Sequence, residues 1–518
     1  MYIKRDFCLV CFYTVSCLLS HAYVIVNMNS EKRTKKFANL KFANSYVDLP
    51  SSFYEEILPA KISNPVLIDF NESLGKELNL DPKAFYSQKG YDFLAGNYIA
   101  DGSKPIALAY AGHQFGNFVP SLGDGRAILL GEIIVDSKRY DIQLKGSGKT
   151  KFSRNGDGKA ALGPVIREYI ISEAMYNLGI KTTRSLAVVK TGEYVQREKM
   201  LPGAILTRVA SSHIRVGTFE YFAARSDIAS IKKLADYVIN RHFKYFKDTE
   251  NQYLQLLDEV ILQQAKLIAS WMSVGFIHGV MNTDNCLIIG ETIDYGPCAF
   301  MDEYNPNKVF SSIDTISRYA YANQPFVGYW NLARFAQAIL PLLDDNINKA
   351  LDKAEESLNN YYVHYKKIWL NIFSKKIAIT NIKHSDEELI NQLLQIMHKN
   401  KLDFTNIFSN LYLYLISDNE QIDICLQEWV VTWKNRLNAE EVTNEDKILL
   451  LQKNNPVYIP RNHLVEKVIN KAVEEDDYSD MKMLIKILEK PYDYNIKDDF
   501  YTKPPKPEER VLQTFCGT

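Results

Sequence analysis

Two carboxylates and an asparagine, Asp284, Asn285 and Asp294, stand close together near the middle of the chain, in GFIHGVMNTDNCLIIGETIDYG (residues 275–296). An ionised carboxylate can take the proton of an attacking hydroxyl, and a carboxylate beside an amide oxygen can hold a hard divalent cation. Upstream, Lys145, Arg208 and Arg215 offer the positive charge that phosphate groups need. Between Lys145 and those arginines runs GSGKTKFSRNGDGKAALG, in which Lys149, Lys151, Arg154, Asp157, Gly158 and Lys159 bring cations and backbone amides to one loop. Together these residue types point to chemistry on phosphate.

Spacing narrows the choice. A protein-kinase catalytic loop reads His-x-Asp-x-x-x-x-Asn and is followed by Asp-x-Gly, whose aspartate holds magnesium with the asparagine. His278 and Asn285 keep the first interval, and Asp294-Tyr295-Gly296 supplies the second element. Val280 occupies the place of the kinase base, which disfavours ordinary phosphoryl transfer and leaves Asp284 as the available base. Glycines at 112, 116, 123, 125 and 131 lead into two strand-like runs, the second ending at Lys145, and Glu168 follows 23 residues later. Glycine loop, strand lysine and helix glutamate, in that order, make the nucleotide-binding half of a kinase-like small lobe. Taken alone, Lys145 would read as a solvated strand lysine. Gly148-Lys149-Thr150 is not a P-loop, because that motif needs glycine where Gln143 stands.

Definite elements must position these residues. Leu256, Leu257, Val260, Ile261, Leu267, Ile268, Trp271 and Met272 fall at helical spacing, so a helix is expected over 255–274 with Gly275 as its cap. Residues 286–289 and 293–296 are expected to form a small hairpin that ends in an exposed carboxylate, Asp294. Along 140–145, Ile142 and Leu144 face the core while Asp141, Gln143 and Lys145 point the other way. A helix opens at Gly163-Pro164, carries Glu168 and ends at Gly179. Strands are expected at 182–189 and 194–197. His113 and His213 have no zinc-like spacing and read as hydrogen-bonding residues. Beyond Asn331 the pattern is mostly helical, interrupted by two prolines near NPVYIPRNH, and the chain closes on a proline-rich tail with Cys516.

The totals exclude some classes. With 518 residues the chain can bury a large core, and 61 basic against 62 acidic residues give a charge of -1, so no nucleic-acid partner is implied. Seven cysteines are too sparse for a disulfide scaffold, and the Cys8–Cys11 pair has no second pair with which to bind zinc. Residues 1–27 resemble a secretory signal peptide, too short and interrupted for a stable membrane span, while Met28 looks like an alternative start. The cytoplasm is the expected location, with export left open by that segment.

The combination GHQFGNFVPSLGDGRA, QLKGSGKTKFSRNGDGKAALGPVIREYIISEAM, TRVASSHIRVGTFEYF, the 275–296 stretch and NPVYIPRNH resembles the selenoprotein O (SelO, YdiU) family of protein adenylyltransferases from about residue 40 to the C-terminus. The resemblance implies an α+β, protein-kinase-like two-lobed fold with a helical C-terminal extension. The divisions expected are a signal-like or mis-started segment at 1–40, an N-terminal extension with the nucleotide-binding small lobe at 41–225, a catalytic core at 226–330 and a helical region with tail at 331–518. It also implies transfer of AMP from ATP, bound in a flipped orientation, to Ser, Thr or Tyr hydroxyls of proteins, releasing pyrophosphate. Carried over by motif, Gly123, Gly125, Arg126, Lys145, Asp157, Gly158, Arg208, Arg215 and Asp294 contact nucleotide, Glu168 pairs with Lys145, and Asp284 accepts the proton. Asn285 and Asp294 hold magnesium, with manganese as a substitute. A monomer is expected. An ATP-binding pseudokinase scaffold and a kinase-like phosphotransferase are the alternatives. Some relatives bridge a terminal cysteine to one in the activation-like segment; here Phe310 occupies that place, which puts the bridge in doubt and leaves Cys298 as the other thiol to consider for Cys516.

Overall fold

The computed structural model describes residues 37–417, 422–495 and 498–515. The signal-like segment, Met28, the Cys8–Cys11 pair and Cys516 lie outside the described residues.

The strands are β1 (Tyr54–Glu56), β2 (Val66–Phe70), β3 (Ile106–Leu108), β4 (Gly112–Gln114), β5 (Asn117–Val119), β6 (Ala127–Val135), β7 (Lys138–Lys145), β8 (Ala160–Ala161), β9 (Arg184–Gln196) and β10 (Met200–Ala210), followed by β11 (Phe276–Ile277) and β12 (Ala299–Phe300). Among the described residues, eight of these form one sheet in the order β1-β3-β6-β7-β10-β9-β2, with β8 paired to β10. Its pairings are antiparallel. The β6–β7 connection is a two-residue turn, Asp136-Ser137, with φ of 47° and 63°. Positive φ at both positions matches the right-handed twist of the flanking strands, and short polar residues tolerate it best.

Both faces of the sheet are covered. Ile142, Leu144, Leu186 and Ile205 pack with Phe85, Phe93 and Leu94 on one side. On the other, Val188, Ala204 and Leu206 pack with the helix Leu162–Asn177, which is itself covered by the helices Asn462–Glu475 and Ser479–Leu488. That inner helix is buried nearly all round, and the charged residues it buries, Arg167, Glu168 and Glu173, are ion-paired. It starts at Leu162, so Pro164 stands at its third position, and Gly179 follows its end with a φ of 79°.

The second half of the chain is mostly helical. The helix Gln252–Ser273 packs against Gln324–Ile339 and Ile347–Lys376, and Gly275 follows it at φ 70°. The fold is therefore mixed α and β with a helical C-terminal region. Among the described residues, no helix is long and apolar enough to cross a membrane.

Three local expectations are corrected. The strands expected at 182–189 and 194–197 are one strand, β9, because Gly192 at φ 74° and a register shift between Pro202 and Ala204 on β10 carry the ladder past the break. Residues 286–289 and 293–296 do not pair as a hairpin; isolated bridges join Leu287 to Arg215 and Thr292 to Thr182 instead. Gly290, at φ 70° and pressed onto Gln263, turns the chain before a ladder can grow. Asp294 is not left exposed, since its side chain is only 22% accessible and three cations surround it.

Candidate functional site

A cleft of about 740 Å³ opens between the sheet and the helical half. The strand β7 delivers Lys145 to it and the neighbouring β10 delivers Arg208, two positions apart in register from the same buried face, with Arg208 opposite Gln143. Lys145 Nζ donates to Glu168 Oε2 at 2.5 Å and to Asp294 Oδ1 at 2.8 Å. Arg208 reaches the same two acids, through Nε to Glu168 Oε1 at 2.9 Å and through Nη2 to Asp294 Oδ1 at 2.7 Å. Arg215, at the start of the helix Val216–Ala223, closes the set on Asp294 Oδ2 at 3.1 Å. Burial pushes the Asp294 carboxyl up, but Arg208, Lys145 and Arg215 hold it well below the usual carboxylate range. Glu168 is depressed in the same way, by Arg208 and Lys145 against burial. Asp294 itself adopts a left-handed backbone, φ 63°, a conformation costly for a residue with a side chain and held here by those ion pairs.

Asp284 has a different environment. Burial pushes its carboxyl up to about 6, against the pull of Arg215. One oxygen accepts from Gln114 Nε2 at 3.3 Å, and the other, Oδ1, is buried without a partner. Asp284 lines the cleft, and a carboxylate whose proton affinity is raised by burial is suited to accept a proton. Asn285 donates through its amide nitrogen to Val280 O at 2.9 Å, which leaves its carbonyl oxygen as the ligating atom. With the anionic Asp294, that oxygen suits a magnesium ion completed by substrate phosphates and water, the donor set such an ion ordinarily takes. Among the described residues, no cluster of three or more His, Cys, Asp or Glu could hold a metal without substrate. His278 is buried and pushed down to about 4 by that burial; it donates through Nε2 to Ile293 O at 3.0 Å, tying the loop to the segment that carries Asp294.

Glycines make the third wall. A side chain at Gly123, φ 67°, would overlap the Phe152 ring, and one at Gly158, φ 70°, would overlap Gly148 O. A side chain at Gly125 would come within 2.9 Å of the Phe152 carbonyl oxygen. Arg126 and Arg154 line the same cleft, as does Asp157. Burial raises the Asp157 carboxyl, but the paired Arg197, Nη1 to Oδ2 at 2.8 Å, and the Lys159 amide together lower it below its ordinary value. Gly123, Gly125, Arg126, Lys145, Asp157, Gly158, Glu168, Arg208, Arg215, Asp284, Asn285 and Asp294 therefore all border one cavity, and so does Val280.

The profile of the family described as "Protein adenylyltransferase SelO" matches residues 36–489. The chain belongs to the SelO family. It is 51% identical over 495 residues to the "Protein nucleotidyltransferase YdiU" of Clostridium botulinum, covering 95% of this chain and all of that protein. Proteins of the same name from Bacillus cereus and Bradyrhizobium diazoefficiens are each 52% identical, over 92% of this chain and 98% and 99% of their own lengths. As a SelO-family member the chain is an enzyme of the nucleotidyltransferase class.

Several residues of this SelO-family site escape a reading of the sequence. Asp124, between Gly123 and Gly125, is buried; burial raises its carboxyl, and it accepts from Leu108 N at 3.2 Å and Gln143 Nε2 at 3.1 Å. Gln143 accepts from Arg208 Nη1 at 3.2 Å, so Asp124 orients Arg208 through Gln143. A carboxylate framed by two glycines was the available signal. The β4–β5 hairpin is the other omission. Four successive residues meet the 282–285 segment: Gly112 lies under Asp284, His113 N donates to Thr283 Oγ1 at 2.7 Å, Gln114 holds Asp284, and Phe115 N donates to Asn282 Oδ1 at 3.1 Å. His113 and His213 are hydrogen-bonding residues as expected, to Glu220 and Asp141 respectively.

Proposed function

We propose that this protein transfers AMP from ATP to serine, threonine or tyrosine hydroxyls of other proteins and releases pyrophosphate. The observation that carries this reading is Asp284: a carboxylate with an unpartnered oxygen, bordering the nucleotide-sized cleft, while Val280 occupies the place of a kinase base. In this reading the sheet and the helical half act as the two lobes of a kinase-like fold, with the nucleotide bound between them in the flipped orientation. The α-phosphate then faces the attacking hydroxyl and the outer phosphates lie among Lys145, Arg126, Arg154, Arg208 and Arg215.

Asp284 takes the hydroxyl proton as the oxygen attacks the α-phosphorus, and the bond to the pyrophosphate oxygen breaks in line. Lys145 and the arginines neutralise charge that develops on the phosphates in a site shielded from water. Glu168 keeps Lys145 aimed at the cleft. Asn285 and Asp294 would hold magnesium, or manganese, which supplies charge neutralisation at the phosphate oxygens.

The test uses ATP labelled at either the α- or the γ-phosphate, with purified enzyme and a mixed protein lysate. Transfer of α-label alone is expected; γ-label alone would make the protein a kinase, and binding of ATP with neither label transferred would make it a scaffold. Asp294→Ala is expected to abolish transfer together with divalent-cation binding, read by calorimetry.

A further inference from the structure

We propose that Arg318 and Arg334, both held over the Trp330 ring beside the catalytic loop, form a docking site for an acidic side chain of the protein substrate. This rests on the adenylyl-transfer reading and adds a class of substrate to it: hydroxyl residues with an Asp or Glu nearby in the same segment.

The guanidinium carbon of Arg318 lies 4.7 Å from the Trp330 ring centroid and that of Arg334 lies 5.2 Å from it. Lys145, Arg208 and Arg215 are engaged by carboxylates, but among the described residues neither Arg318 nor Arg334 makes an ion pair, and the Nε of each is buried without a hydrogen-bond partner. The acids close by are engaged. Glu220 binds His113 Nδ1 at 2.5 Å and the Thr283 hydroxyl, and the two oxygens of Asp314 accept from the backbone amides of Arg318 and Tyr319. Arg318 lies beside Tyr319, a neutral side chain. Two guanidinium groups without a carboxylate leave positive charge around one ring, and that charge attracts an anion. Trp330 is partly accessible, so this charged cluster reaches the surface.

The site adjoins the base from two directions. Trp330 meets the His113 ring edge-on at 5.2 Å, and the next residue, Gln114, holds Asp284. Tyr319 donates to Asn282 Oδ1 at 2.7 Å, two residues before Asp284. On this proposal the hydroxyl of a substrate segment goes to Asp284 and a neighbouring acid of the same segment to the arginines.

The experiment uses alanine-rich nine-residue peptides with a central serine and one Glu, Gln or Lys scanned through the other positions. Transfer of α-label is measured for each, and binding of the matching peptides with central alanine is measured by fluorescence anisotropy, which needs no transfer. At one or two positions Glu is expected to exceed Gln roughly five- to tenfold in both readouts, with Lys below Gln. Arg318→Gln and Arg334→Gln should each reduce the Glu-to-Gln ratio, and the double Arg318→Glu, Arg334→Glu variant should invert it in favour of Lys, with thermal melting confirming that the variants fold. Equal binding of Glu and Gln peptides at every position, or a preference that survives in both single variants, overturns the proposal. If adenylyl transfer is itself the wrong reading, no peptide gains α-label while the binding preference remains.

Discussion

At Asp284 burial removes the water that would stabilise a carboxylate, and Gln114 is the side chain that replaces part of it. A carboxylate so placed is a better proton acceptor than an exposed one, because its affinity for a proton is raised. Asp284→Asn keeps the shape and removes the base. Transfer is expected to fall roughly 10²- to 10⁴-fold while ATP affinity, measured by calorimetry, changes by less than about threefold; a variant with near-normal turnover would remove Asp284 from its role. Glu291 offers a pH test separate from the chemistry. Burial pushes its carboxyl up to about 7, against hydrogen bonds from Ser211. Since the folded state holds the proton more tightly than the unfolded one, stability is full below the ordinary glutamate range and declines as pH rises to about 7. Glu291→Gln should therefore raise Tm by roughly 1–3 °C at pH 8 and leave it unchanged at pH 4. That Asp284, Asn285 and Asp294 meet at one cleft was legible because they keep the short local intervals of a kinase-like loop. Asp124, Gln143 and Gln114 were not, because their meaning lies in partners that only the folded sheet brings near.

Among the elements, the β4–β5 hairpin does more than its few residues suggested in the sequence, where its glycines read as part of a glycine loop leading to the strand lysine. A side chain at Gly112 would lie 2.6 Å from Asp284 Oδ1, so glycine is what lets the strand rest on the base. Gly112→Ala should push the carboxylate out of position and lower kcat at least tenfold with nucleotide affinity retained, since Lys145 and the arginines are on other strands. A melting profile close to that of the parent would show that the loss is positional. The long helices and β6–β7 were legible from period and turn chemistry. The 286–296 segment was not: its apolar run looked like a strand, yet Gln264 Nε2 takes the Leu287 carbonyl at 2.7 Å and Gly290 reverses the chain, so side chains and a turn satisfy the backbone that a ladder would have used.

Across the whole molecule, the late NPVYIPRNH motif explains why a helical region distant in sequence accompanies the site. Arg461, 1% exposed, donates to Asp302 at 2.7 Å and to Asp403 at 2.9 and 3.1 Å, while Asn462 bonds the backbone of Phe300 through both ends of its amide. Phe300 belongs to β12, which pairs with β11 immediately before His278. The C-terminal helices thus brace the strand pair from which the catalytic loop departs. Sequence could show that the motif was there but not what it touched, because its partners lie up to 162 residues away. Arg461→Ala leaves two carboxylates in a buried place without their cation, a loss expected to cost about 3–5 kcal/mol. Burial already pushes Asp302 up to about 6 against Arg461, so without the arginine it will take up a proton near neutral pH and part of the loss should be recovered in acid. Adding Asp302→Asn and Asp403→Asn to Arg461→Ala should restore more than half of the lost stability, because the uncompensated charges go with them. If the triple variant melts no higher than Arg461→Ala alone, the arginine acts through packing and not through charge. Transfer per folded molecule is expected to remain low in the triple variant, since neutral side chains do not rebuild the clamp on β12.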